Sequence, residues 1–164
     1  MKGHVNLFPI INSDVSTTIM QQDLESQKYK KRHNSRLLAA QCLYSWLVSK
    51  TPIVEAKACV LMIPALSNLE YDEDFFNDLT TKIIDSHESL DKSLTPFIKL
   101  GVQSLPPVER AILWIAALEL SVQPRLLSAS IIINEAVELT KDLSGQDSHK
   151  FINAVLDNFS RKLS

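Results

Sequence analysis

Apolar residues recur at three- to four-residue spacing along most of this chain, the signature of helices that bury one stripe. In "KKRHNSRLLAAQCLYSWLVS", from about Lys30 to Ser49, Ala39, Leu43, Trp46 and Leu47 share one face, with the basic residues in the first turns. After Pro52, "VEAKACVLMIPAL" predicts a short helix that Pro64 ends or kinks. "DEDFFNDLTTKIIDSHESL" aligns Phe75, Phe76, Leu79, Ile83 and Ile84 behind an acidic first turn and predicts a helix of about four turns. "DKSLTPFIKLGV" reads as another short helix stopped by Gly101. "PPVERAILWIAALELS" opens with proline at the first turn and is apolar nearly all round, which predicts the most buried helix. "SASIIINEAVELTKDLSG" aligns Ile132, Ala136, Leu139 and Leu143 after a Ser128 or Ser130 cap; "IIIN" alone suits a strand, but the helical period continues for three more turns. "DSHKFINAVLDNFSRKL" follows, capped by Asp147 or Ser148, with Phe151, Ile152, Val155, Leu156, Phe159 and Leu163 inward. About seven helices and no credible strand define an all-α fold.

Residues 1–27 are rich in Ser, Thr, Asn and Gln without sustained periodicity and read as a poorly ordered extension, leaving 28–164 as the helical domain. A chain of 164 residues is long enough for one self-sufficient core, and three glycines in the whole sequence fit helices better than sheets and their turns. Cys42 and Cys59 are the only cysteines, so no disulfide framework or CxxC metal knuckle is expected, and a reducing, cytoplasmic setting fits. The apolar run "AILWIAAL" ends at Glu119, well short of the roughly 18 residues of a membrane span. Asn6, Pro9 and Asn12 interrupt anything like a signal-peptide core, so export is not expected.

The net charge of −2 hides an uneven distribution. Residues 26–54 carry Lys28, Lys30, Lys31, Arg32, Arg36 and Lys50 with no acid, a net of +6; residues 55–164 carry 10 basic against 16 acidic side chains, a net of −6. Positive charge near a helix N-terminus opposes the macrodipole by a few tenths of a kcal/mol per exposed group, so its concentration there invites a use. A solvated helix start is one account; contact with a polyanion, releasing counterions, is the other.

"INEAVELTK" followed by "DSHKFINAVLD", with "VERAILWIAALEL" upstream and "AAQCLYSWLV" near the start, resembles the NusB family of bacterial transcription antitermination factors, over about residues 30–163. The resemblance implies two small helix bundles, no catalysis and no cofactor. It further implies binding of a boxA element in single-stranded RNA together with NusE, a small-subunit ribosomal protein. The assembly would join other Nus factors on the RNA polymerase elongation complex and carry it past terminators in ribosomal RNA operons.

Site residues carry over by position. The family's arginine-rich run corresponds to "KKRHNSR", which makes Lys28, Lys30, Lys31, Arg32 and Arg36 RNA candidates; His33 and Asn34 stand where arginine is common, so some bidentate phosphate donors are lost. The start of the last helix supplies Asp147, Lys150 and Phe151: an aromatic face stacks a splayed base, lysine meets phosphate, and a carboxylate accepts from a base edge. The plainer readings are an N-cap for Asp147 and the flank of the apolar stripe for Phe151. For NusE the resemblance points to Tyr44 and Glu109, otherwise a core-edge aromatic and a first-turn acid favoured by the dipole. The scattered histidines His4, His33, His87 and His149 suggest no metal site.

Three other functions compete with this one. An RNA methyltransferase carrying a NusB-like domain would need a Gly-rich cofactor loop, and the sequence has none. A relative that keeps the protein partner but loses RNA specificity would fit the thinned arginine run. A protein-only scaffold would self-associate, as a homodimer, through the partner surface.

Overall fold

The computed structural model describes residues 13–145 and 147–164. Six α-helices follow one another: α1 (Ser13–Ser49), α2 (Ile53–Leu61), α3 (Glu73–Leu94), α4 (Pro107–Ser121), α5 (Ala129–Leu143) and α6 (Ser148–Leu163). Single 3-10 turns at Thr95–Phe97 and Val102–Ser104 link α3 to α4. The described residues contain no strand. None of their helices is long and apolar enough to cross a membrane.

α4 is the axis of the molecule. It packs on α1 and α3 on one side and on α5 and α6 on the other, so α1–α3 form one bundle and α4–α6 a second that shares its core with the first. Ala111, Ile112, Leu113, Trp114, Ile115, Ala116, Ala117 and Leu120 are all buried on it, in keeping with the apolar run. Each fully buried large apolar side chain contributes roughly 1.5–3 kcal/mol. Leu38, Leu43, Phe76, Ile83, Leu139, Ile152, Leu156 and Phe159 complete the core from the surrounding helices. The Trp114 indole N–H donates to Asp91 (2.7 Å), and the Arg110 guanidinium pairs with the same carboxylate. The one polar atom of the buried indole is therefore satisfied.

Local signals set most of the helix ends. Asp72 caps α3 by accepting from the Phe75 N–H (3.0 Å), and Ser128 caps α5 through the Ile131 N–H (3.4 Å). Pro107 occupies the first turn of α4. Gly101 has φ +80°, a left-handed conformation that glycine adopts without strain. α2 ends at Leu61, three residues before Pro64.

Two boundaries differ from the periodicity. The segment expected as a separate helix at Asp91–Val102 divides: its first residues extend α3 to Leu94, because no breaker stands between Ser89 and Leu94, and Pro96 then ends the helix in a 3-10 turn. The helix expected to start near Lys30 begins at Ser13. Residues 13–27, expected to be poorly ordered, contain neither Gly nor Pro and extend a helix already nucleated by its packed C-terminal half, which avoids the costly first turn. Nearly all of them are exposed, which is why no apolar stripe announces them. Residues 1–12 of that extension lie outside the described residues.

Candidate nucleic-acid interface

The basic segment lies on α1 where it enters the body of the protein, and the fold sorts its cations into two groups. Lys28 and Lys30 are exposed and have no acidic partner among the described residues. The others are engaged. Lys31 pairs with Glu70 (3.6 Å), an exposed bridge of the kind worth at most about 1 kcal/mol. Arg32 approaches Asp72 (3.5 Å) and lies over the Phe75 ring, 4.9 Å from its centroid. His33 and Asn34 also face inward: Asn34 donates to the Glu70 carbonyl (2.7 Å) and His33 Nδ1 meets Glu135 (3.0 Å).

Arg36 corrects the expectation most clearly. It is 2% exposed, its guanidinium donates twice to Glu119 (2.7 and 2.8 Å), and a third contact reaches Glu135 at 3.4 Å. Burial works to lower its pKa, but the bonds and charge of Glu119, with the charge of Glu135, outweigh it and hold the pKa above the ordinary value. A guanidinium so enclosed has no face left for a phosphate, so Arg36 joins α1 to α4 and α5 and is withdrawn from the RNA candidates.

At the other candidate element, Asp147 and Lys150 are exposed at the start of α6, while Phe151 is half-buried and packs against the core. Asp147 occupies the N-cap position, yet its side chain makes no capping hydrogen bond, so its carboxylate stays available. The turn ahead of it is held from below. The Ser144 hydroxyl lies 3.1 Å from Glu109 and 3.3 Å from the Ser148 hydroxyl. α5 connects the two candidate elements, since Asp142 in its last turn approaches His33 Nε2 (4.0 Å).

Of the two candidates for a protein partner, Tyr44 is 41% exposed on α1, and Val48 one turn on is also exposed. Glu109 is not: it is 7% exposed, because the α5–α6 turn closes over a first-turn acid that would otherwise be solvated. It serves as a post for that turn, which corrects its placement on an open partner surface.

A further polar cluster lies beside the basic segment. Glu119, Glu135 and Tyr29 join Arg36 and His33 in one network between α1, α4 and α5. Burial, reinforced by the hydrogen bond to Glu135, pushes the Tyr29 phenol up to about 12. One signal was available: Glu119 and Glu135 each sit in an otherwise apolar stretch, and a buried acid requires a cation.

The described residues contain no group of His, Cys, Asp and Glu arranged to hold a metal. Their buried polar network joins helices together, and Lys28, Lys30, Asp147 and Lys150 lie on open surface. Such an arrangement defines an all-α scaffold with charged groups on open surface. The chain belongs to the NusB family, whose sequence model matches residues 33–161. It is 35% identical over 144 residues to the transcription antitermination protein NusB of Vibrio vulnificus, covering 80% of this chain and 92% of that one. It is 38% identical over 136 residues to the protein of the same name from Burkholderia cenocepacia, covering 83% and 92%. Among solved structures, T. maritima NusB superposes with a TM-score of 0.67 at 21% identity over 80% of this chain and 91% of that one. A chain from a crystal structure of antitermination factors NusB and NusE in complex with dsRNA gives 0.65 at 19%, over 79% of this chain and 96% of that one. At these identities the structural likeness is one of fold. The family is one of antitermination factors, not of enzymes.

Proposed function

We propose that this antitermination factor binds boxA-type single-stranded RNA jointly with NusE and, with other Nus factors in the cytoplasm, keeps RNA polymerase elongating through ribosomal RNA operons. The observation that carries the reading is the pairing of two exposed elements across α5. Lys28 and Lys30 stand on α1 and Asp147, Lys150 and Phe151 at the start of α6, with the His33–Asp142 approach between them. Lysines meet phosphates, the Phe151 edge stacks a base, and Asp147, free of capping duty, reads a base edge. Lys31 and Arg32 join by exchanging their acidic partners for phosphate. Tyr44 is the contact for NusE, and a structural neighbour crystallised with NusE and double-stranded RNA supports that assembly.

The experiment measures binding of a boxA-like oligomer and a scrambled one, with and without NusE, over a salt series. Preference for the boxA sequence that persists as affinity falls with salt is expected. Equal affinity for the two oligomers would sink the sequence-specific reading. Phe151→Ala should weaken boxA binding while leaving NusE binding intact; loss of both would show that Phe151 serves the core alone.

A second reading is favoured by the engagement of Lys31, Arg32 and Arg36 with acids, which leaves two unpaired cations in the segment from Lys28 to Arg36 among the described residues. In this reading the chain keeps NusE and has lost RNA preference. The same titration separates the two, because NusE binding without boxA preference belongs to this reading alone.

A further inference from the structure

Glu135 is buried in the middle of α5, and neither the RNA reading nor the partner reading uses it. Its carboxylate receives three residues from one face of α1. The Tyr29 hydroxyl donates to Oε1, while His33 Nδ1 (3.0 Å) and Arg36 Nη1 (3.4 Å) reach Oε2. Positions 29, 33 and 36 are spaced i, i+4 and i+7, so a single acid fixes two turns of α1 against rotation and translation. Between Thr18 and Lys30, a stretch exposed throughout, Tyr29 is the residue that bonds to another helix. Lys28 and Lys30 flank that point.

We propose that Glu135 is a positioning residue for RNA binding: by clamping Tyr29, His33 and Arg36 it keeps α1 helical and in register through Lys28–Arg32. The inference rests on the RNA reading above. An exposed helix frays from its end toward the first fixed residue. With the clamp, fraying stops ahead of Lys28. Without it, the next anchors are the weak pairs at Lys31 and Arg32 and the buried Asn34 and Ser35, so Lys28 and Lys30 fall in the frayed part. Lys28 and Lys30 stand on the two flanks of α1 beside Tyr29, and each, held in the helix, meets a phosphate without first being ordered, whereas on a frayed strand both must be ordered on binding. Glu135 also ties α1 to the helix whose last turn carries Asp142 and leads into the α6 start, so it sets the separation of the two RNA elements.

The test uses the full chain with NusE, a boxA-like oligomer, and the variants Glu135→Gln and Tyr29→Phe. The second variant removes one hydroxyl from a residue that is 43% exposed and leaves the core untouched. Both should raise the apparent Kd about 3- to 10-fold and flatten the slope of log affinity against log salt by about 0.7 for each phosphate of a single strand that is no longer neutralised. Alanine at Lys28 and Lys30 together should cost less affinity in either variant than in the parent. Amide exchange at residues 28–32 should quicken. A merely structural role lowers the active fraction but changes neither the slope nor the effect of the lysine replacements, and that outcome overturns the proposal. Binding by the parent with both variants unchanged overturns it too, leaving the RNA reading intact; a parent that binds no RNA overturns both.

Discussion

Replacing Arg36 with methionine keeps an unbranched side chain of similar reach but strips the cation from between Glu119 and Glu135. In the parent, the guanidinium donates twice to Glu119 (2.7 and 2.8 Å) and stands 3.4 Å from Glu135, with the arginine 2% and the Glu135 side chain 4% exposed. Removing one partner of such a group leaves uncompensated buried charge, a loss of about 3–5 kcal/mol. Glu119 has a side chain 15% exposed and can recruit some water, which favours the lower end. For a domain of this size each kcal/mol moves the midpoint by about 2–4 °C, so Tm should fall by roughly 6–12 °C for a loss near 3 kcal/mol. Urea unfolding at neutral pH, with the m-value checked for constancy, measures the difference directly. Replacing Glu119 and Glu135 by leucine and methionine in the same background should recover much of the loss, since the charges are then gone together. A single variant within about 1 kcal/mol of the parent would refute the account of Arg36 as a buried, charge-compensated tie and return it to the surface cations.

Other consequences concern a second member of that network and two sites apart from it. The Tyr29 phenol is raised from 10 to about 12 by burial and by Glu135, so its contribution to stability is complete below pH 10 and is lost as pH rises from there through 12; Tyr29→Phe should remove that alkaline component in stability measured over pH 9–12. Gly101→Ala places a Cβ in open space but forces a φ of +80° on an L residue, so a loss of about 1–2 kcal/mol in urea is expected, and a neutral result would show that the turn relaxes. Tyr44→Asp should abolish NusE binding in calorimetry with no change in Tm beyond a degree or two, because the ring is 41% exposed; unchanged NusE affinity would remove Tyr44 from that surface.

Much of the architecture was legible because helices announce themselves by spacing. The all-round apolar run of α4 foretold its burial, Ser128 caps α5 as one of the two serines the sequence offered, and Pro107 opens the first turn of α4. Residues 13–27 were missed for a physical reason: a helix that buries no face writes no stripe in the sequence, and only its attachment to a packed continuation keeps it helical. The boundary between α3 and the next expected helix was misplaced because an acid-rich stretch without Gly or Pro reads equally well as an end or a middle.

The candidate site divides along the same line. The sequence by itself determined which residue types are present, that the basic ones crowd into one short stretch of one helix, and that Asp147, Lys150 and Phe151 open the last helix. Which of those charges face solvent was decided by tertiary structure alone. Lys28 and Arg36 are alike in a charge count, yet Lys28 stands on a stretch of α1 that is exposed throughout, while Arg36 faces the core between Glu119 and Glu135. Glu109 and Asp147 are both acids at helix starts, and only the passage of the α5–α6 turn over the first makes it a buried post while the second stays open. A sequence fixes the period of each helix, but the rotation of one helix against another is set by packing, and that rotation decides whether a charge is available for binding or engaged in holding the fold together.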